Sequence, residues 1–218
     1  DHMSAMRLID AARANGGVVR LFTSYCGGLP APADNDNPFG YKFSWAPRGV
    51  LLASKNPAKW LQDGEIKTIA AGELFDHYTI EHVDGVDGVT EFECYPNRDS
   101  TQYKDVYNLQ DIQTLQRGTF RYKGWYSKIR KLSDLGYLAL DARADLPGRT
   151  MRSLTAELAG APQDAAADAV RDAVAAKLTL KADSPILGAF AWVGLFSDDK
   201  IKAGTTTVLD ALCAEMMA

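Results

Sequence analysis

Ser24-Tyr25-Cys26-Gly27-Gly28-Leu29-Pro30-Ala31-Pro32 closes a run of β-forming residues that opens at Val18. The paired glycines stop that run, because glycine admits backbone angles closed to other residues and lets a ligand approach the main chain. Beyond them a Pro/Asn/Asp/Gly loop continues to Gly49, and a loop of that length without structure of its own is either functional or disordered. Tyr41, Phe43 and Trp45 argue against disorder, which leaves a functional loop and a surface loop pinned by its aromatics as equal readings. Within the run, Val19, Leu21, Thr23 and Tyr25 share one face and Val18, Arg20, Phe22 and Ser24 the other, which predicts an interior strand covered on both sides. Upstream, Met6, Leu8, Ile9 and Ala12 give Ser4 to Asn15 a helical stripe that Gly16-Gly17 ends.

Downstream, Pro47 fits a first helical turn, and the helix it opens ends before Asn56-Pro57. Asn56 can cap a second short helix holding Trp60 and Leu61, stopped by Asp63-Gly64. Glu65 to Ala70 alternates as an exposed edge strand does. Asp84-Gly85 and Asp87-Gly88 signal turns before a strand from Val89 to Tyr95. Leu115 to Tyr122 alternates again, with Arg117, Thr119 and Arg121 on one face, which makes either a wet sheet face or a polar floor for a ligand. Trp125, Ile129 and Leu132 restart a helical period that Gly136 closes. From Leu138 the chain turns Ala-rich and helical, with helices expected at 165–178, 185–196 and 207–217, capped by Ser184 and by Thr205 or Thr206. These patterns predict an α+β domain at 1–137 and an all-α subdomain at 138–218.

A chain of 218 residues with a net charge of −4 and 24% charged residues fits an ordinary acidic soluble protein, and argues against nucleic acid or an anionic membrane as partner. Cys26, Cys94 and Cys213 lie far apart without metal-ligand spacing, and their odd number suits a reducing compartment, here read as the cytoplasm. His77 and His82 belong to no ligand set, so no metal is expected. No G-x-G-x-x-G follows a strand, so nothing here cradles the pyrophosphate of a dinucleotide.

SYCGGLPAP at 24–32, DNPFGYKFSWAPRGVLLA at 36–53, YPNRDS at 95–100, RGTFRY at 117–122 and AWVGLFSD at 191–198 together resemble the middle and helical domains of the glutamate-forming saccharopine dehydrogenase family. Asp1-His2 matches the end of the family's DPG-x-DH segment, which implies a chain cut mid-domain from an enzyme whose nucleotide-binding domain lies upstream. The resemblance implies an α+β fold like the C-terminal domain of glyceraldehyde-3-phosphate dehydrogenase, a homodimer, and NADP(H) as cofactor of the full-length enzyme. It also implies an isolated chain that is inactive and holds no cofactor tightly. The reaction implied is reduction of the imine of glutamate and α-aminoadipate semialdehyde to saccharopine in lysine biosynthesis. By the same resemblance Arg98, Thr119, Phe120 and Arg121 bind substrate, Cys26 lies near it in a supporting catalytic role, and Trp45 lies on the cofactor side. Saccharopine carries three carboxylates, which suits guanidinium groups; Arg117 has no family role and reads as structural. Another imine reductase of the superfamily, acting on a polyamine-type substrate, and a non-catalytic oligomerisation or binding module are the alternatives.

Overall fold

The computed structural model describes every residue except 44, 45, 85, 87 and 218, with Ser54 described by its backbone alone. In chain order its elements are α1 (His2–Ala14), β1 (Leu21–Cys26), α2 (Pro47–Leu52), β2 (Ala58–Gln62), β3 (Glu65–Ile69), β4 (Thr79–His82), β5 (Glu91–Pro96), α3 (Tyr103–Val106), β6 (Thr114–Arg121), α4 (Trp125–Leu135), α5 (Met151–Ala159), α6 (Ala167–Leu178), α7 (Pro185–Trp192) and α8 (Val208–Glu215). They form two compact units, residues 1–35 with 53–123 and residues 36–52 with 124–218. The division therefore falls after Lys123, not at the expected 137/138 boundary, and the loop 36–52 belongs with the helices.

The first unit is a mixed sheet with helices, in agreement with the expected α+β class. β3, β2, β6, β5 and β4 follow one another, and β1 pairs with β6 in parallel. β1 takes one edge of β6 along Thr114 to Thr119. The other edge is shared, by β2 at Leu115 and by β5 from Gly118 to Arg121. Leu115, Ile112, Leu109 and Tyr107 form a core with Ala5 and Ile9 of α1, so the helix stripe read from sequence packs on the Leu115 face.

Two expectations fail here. The segment holding Trp60 and Leu61 is strand β2, not a helix capped by Asn56. Asp63 and Gly64 both adopt left-handed angles, φ 52° and 81°, which is the two-residue hairpin geometry that joins antiparallel strands, and β3 returns along β2 in register. β1, expected in the interior, pairs with β6 alone among the described residues, and Leu21 is 64% exposed. The Phe22 side of β1 packs on the core; on the other side Leu21 faces an open groove, while Tyr25 lies against Phe120. The expected turns at Asp84-Gly85 and Asp87-Gly88 lie in part outside the described residues.

The second unit is helical, and its core is built from Trp125, Ile129, Leu132, Leu154, Val174, Leu187, Phe190 and Leu209, all buried. Gly136 ends α4 in the left-handed conformation, as its position predicts. α5 had no counterpart in the sequence reading. It is capped by Thr150, and its Thr155 hydroxyl is held between Tyr137 and main-chain carbonyls at Met151 and Leu195. α8 is capped by Thr207, one or two residues beyond the expected cap, and Asp210 pairs with Arg48 of α2. The loop 36–52 is pinned by its aromatics: Phe39 and Tyr41 are buried and pack on Trp125, with ring centroids 6.5 and 5.0 Å away.

Gly118 is where β6 is most constrained. A Cβ there would meet Tyr25 Cδ1 at 2.5 Å and Cys94 Sγ at 2.7 Å, side chains from the strands on either edge. Gly118→Ala should therefore lower stability by about 1–3 kcal/mol or more through overpacking. Gly188→Ala, inside α7 where nothing lies within 4 Å, should change it in the opposite direction by about 0.5–1 kcal/mol. Urea midpoints of the two variants beside the parent chain check both signs.

Candidate functional site

β6 places most of the candidate residues. Its alternation turns Leu115, Arg117, Thr119 and Arg121 to the face on which α1 packs, and Gln116, Gly118 and Phe120 to the other. Cys26 on β1 and Tyr95 on β5 are the register partners of Thr119, and Glu93 is the partner of Arg121. Cross-strand partners share a face, so Cys26, Thr119 and Tyr95 form a row over three strands, with Arg121 and Glu93 in the next row. The structure thus brings Cys26, Thr119 and Arg121 together. Phe120 points the other way, into an apolar cavity of about 380 Å³ lined by Leu29, Pro30, Phe92 and Tyr122. On the Thr119 face it offers only its main chain, and its carbonyl already accepts a 2.7 Å hydrogen bond from Arg121 Nη1.

Arg121 is 5% exposed, and so is Glu93. Its guanidinium carbon lies 6.0 Å from the centre of the Tyr95 ring. A charge this buried is held at low cost only beside an opposite charge and hydrogen-bond acceptors, and the in-register Glu93 and the Phe120 carbonyl supply them. Sequence reasoning missed Glu93 and Tyr95; the available signal was a carboxylate held between Phe92 and Cys94 in the middle of a strand.

Arg98 sits elsewhere. β5 ends at Pro96. Asn97 N–H then donates to the Arg117 carbonyl at 2.8 Å, and Lys59 N–H donates to the Arg98 carbonyl, also at 2.8 Å. Between these anchors Arg98 takes φ 53°, a left-handed angle uncommon outside glycine. Its side chain is exposed and makes no ion pair among the described residues. Asp99 Oδ1 accepts from Thr101 N–H and its hydroxyl at 2.8 and 2.5 Å, and with Lys59 nearby these hold the Asp99 carboxyl below its ordinary range. Arg98 follows Glu93 by five residues, which places the two arginines at most about 17 Å apart along the strand. At such a spacing they can hold two carboxylates of an extended ligand.

Arg117, read from sequence as structural, has its guanidinium engaged by neighbouring side chains. Its guanidinium donates to Tyr103 Oη at 2.5 Å and to Asp1 Oδ2 at 3.1 Å, and lies 4.5 Å from the Tyr103 ring centre. The glycine loop is fastened to β6 as well. Tyr122 Oη donates to the Pro30 carbonyl at 2.8 Å, and a Cβ on Gly27 would lie 2.7 Å from the Phe120 carbonyl oxygen. Trp45 lies outside the described residues. Among the described residues no group of His, Cys, Asp or Glu could hold a metal ion, and no helix is long and apolar enough to cross a membrane.

The chain matches the sequence profile of the saccharopine dehydrogenase C-terminal domain over residues 1–218. It is 43% identical over 221 residues to the NADP(+), L-glutamate-forming saccharopine dehydrogenase of Saccharomyces cerevisiae, covering 99% of this chain and 48% of that one. The corresponding protein of Pyricularia oryzae is 38% identical, again over 99% of this chain and 48% of its own. The mitochondrial alpha-aminoadipic semialdehyde synthase of Bos taurus is 38% identical over 97% of this chain and 23% of that protein. The solved apo structure of histidine-tagged saccharopine dehydrogenase (L-Glu forming) from Saccharomyces cerevisiae superposes with a TM-score of 0.89 at 40% identity, covering all of this chain and 48% of that one. The chain spans about half the length of the saccharopine dehydrogenases it matches.

The three thiols of this chain should react in a fixed order. Cys26 is exposed; Cys94 is buried, and burial first, then Glu81, pushes its thiol up to about 12. Burial likewise raises Cys213 to about 11 and the Tyr25 hydroxyl to about 12. Iodoacetamide at pH 8, read by peptide mass spectrometry, should label Cys26 in the folded chain and spare Cys94 until denaturant is added. Groups whose folded pKa is raised ionise first in the unfolded chain. The stability that Cys94 and Tyr25 contribute should therefore be intact below about pH 9 and decline as the pH rises toward about 12.

Proposed function

Because the chain belongs to the saccharopine dehydrogenase C-terminal domain family, we propose that it is the substrate-binding and dimerisation part of an NADP-dependent, glutamate-forming saccharopine dehydrogenase of the cytoplasm. The whole enzyme reduces the imine of glutamate and α-aminoadipate semialdehyde to saccharopine. The observation that carries this reading is the turn at 96–100, which presents Arg98 in a left-handed conformation with an exposed guanidinium. Local backbone strain of this kind persists where the surrounding structure enforces it, and it concentrates at ligand sites. Arg98 takes one carboxylate of saccharopine, and the Thr119–Arg121 row takes another. Two separate arginines suit a tricarboxylate better than a cationic polyamine. Thr119 offers its hydroxyl and Phe120 its main chain. Cys26, the register partner of Thr119, lines the same row as a supporting residue.

The cofactor's phosphates do not fit this chain. β1 ends at Cys26, and the glycines after it lead to a 3-10 turn at Pro32–Asp34 instead of a helix whose N-terminus could hold a pyrophosphate. NADP(H) is accordingly held by the rest of the enzyme, and the isolated chain is inactive. The contribution of this chain is to fix the carboxylates, so that the reacting carbon and nitrogen are presented in one orientation. The mixed sheet with helices on one face supports a relationship to the C-terminal domain of glyceraldehyde-3-phosphate dehydrogenase. Exposed Leu21 and the groove-lining Tyr78 on the open face support a homodimer through this unit.

In the complete enzyme, Arg98→Ala and Arg121→Ala should each raise the KM for saccharopine by about 10- to 100-fold, since a charge-assisted pair contributes about 1.5–3 kcal/mol. NADP(H) affinity should be unchanged, and lysine at either position should recover only part of the loss, because a point charge lacks the planar fork. Arg117→Ala should lower the melting temperature more than it raises KM. Wild-type KM values in both alanine variants would overturn the assignment. For the chain alone, a nicotinamide fluorescence titration should find no micromolar NADPH binding.

A further inference from the structure

We infer that Ser100 is the positioning residue for Arg98, an inference that rests on the substrate role proposed for Arg98 above. β6 has a gap on the edge it shares between β2 and β5. β2 meets it at Leu115, and β5 meets it only from Gly118 onward. Arg117 lies in that gap, with a main-chain N–H and carbonyl that no strand pairs on this side. Its carbonyl is taken by Asn97 N–H at 2.8 Å, and its N–H donates to Ser100 Oγ at 2.9 Å. Ser100 is fully buried, and its own N–H donates to the Lys59 carbonyl at 2.7 Å.

Four bonds therefore bracket Arg98. Asn97 before it and Ser100 after it are fastened to the same residue of β6, and Arg98 O and Ser100 N are fastened to the same residue of β2. With Asn97 and Ser100 fixed to Arg117, and the Arg98 carbonyl and Ser100 N–H fixed to Lys59, the two residues between must carry the chain from the edge of β6 onto β2, where Asp99 runs parallel beside Lys59, within a very short span. Within that constraint Arg98 takes φ 53° with its side chain exposed. Of the four bonds, three are main chain to main chain and insensitive to residue type. Only the bond to Ser100 Oγ depends on a side chain. An alanine at 100 leaves the Arg117 N–H without its acceptor and frees one end of the turn. Arg98 can then relax toward the negative φ that a non-glycine residue prefers, and its guanidinium leaves the position at which the carboxylate arrives.

A double-mutant cycle on the complete enzyme tests this, using Ser100→Ala, Arg98→Ala and the pair, with KM for saccharopine, cofactor affinity and melting temperature measured for each. Ser100→Ala should raise KM by about 10-fold and leave NADP(H) affinity within about twofold, whatever it does to melting temperature. The pair should be no worse in KM than Arg98→Ala alone, because a side chain that is absent cannot be mispositioned. A general structural defect would instead multiply the two effects. Multiplicative effects, or a wild-type KM in Ser100→Ala, overturn the inference while leaving the Arg98 assignment standing. A wild-type KM in Arg98→Ala overturns that assignment and this inference with it. Should Ser100→Ala not fold, Ser100→Cys enters the same cycle, since a thiol of similar size is a weak acceptor and should reproduce the KM effect.

Discussion

The α+β unit depends on both edges of β6 being filled along its length. A central strand with an unpaired main-chain group inside the sheet loses the desolvation energy of that group, so whatever occupies the second edge is under strong constraint. Here the occupants are β2, then the Asn97–Ser100 turn, then β5. β5 does not complete the edge by itself: Asn97 N–H still reaches the Arg117 carbonyl beyond Pro96, but at Arg98 the chain moves over to β2, where Lys59 N–H donates to the Arg98 carbonyl. The point where the strand departs is thus the place where a loop has to complete the edge, and that loop carries Arg98. Gly118 belongs to the same constraint, since the side chains of Tyr25 and Cys94 can close over β6 only where no Cβ stands between them.

The polar residues of this face then divide by what surrounds them. Arg117, Arg121 and Arg98 all originate on or beside β6, yet each has a different electrostatic setting. Arg117 is neutralised by Asp1 and laid over Tyr103, which makes it a tie between α1 and the sheet. Arg121 is buried with Glu93 in register and Tyr95 beside it, so its guanidinium has a fixed orientation before any ligand arrives. Arg98 stands in solvent with its backbone fixed and its charge uncommitted. A site that meets an elongated polyanion benefits from this arrangement, because a rigid cation at one end and an accessible one at the other set the ligand's direction as well as its charge.

The helical unit rests on other physics. Its helices are short, so isolated helix formation contributes little, and buried aromatic and branched side chains from α4, α5, α6, α7 and α8 supply the core. The loop 36–52 joins this unit through Phe39 and Tyr41. Of the two readings its composition allowed, pinning by aromatics is what the packing supplies. Arg143, Arg149, Asp145 and Glu157 form a linked charge network around the start of α5, where a sequence scan finds only scattered ions.

The sequence by itself determined whatever is set within a few residues. Period-two alternation located β5 and β6 and put Arg117, Thr119 and Arg121 on one face, since side-chain direction in a strand follows from the pleat alone. Gly136 and Ser184 marked helix ends because left-handed caps and N-cap hydroxyls are local chemistry. The motifs at 24–32, 95–100 and 117–122 named Cys26, Arg98, Thr119 and Arg121 as a set. Only the tertiary structure decided what depends on neighbours distant in the chain. Trp60 and Leu61 satisfy a helix or a strand, and pairing with β3 and β6 selects the strand. The apolar alternation of β1 suits the interior, but Leu21 finds no covering layer among the described residues. Glu93 looks like a surface charge until register sets it beside Arg121, and Ser100 looks like a polar loop residue until the gap in β6 requires its hydroxyl. In each case the local chain is indifferent between two states, and a hydrogen bond or burial contributed from elsewhere in the fold makes the choice.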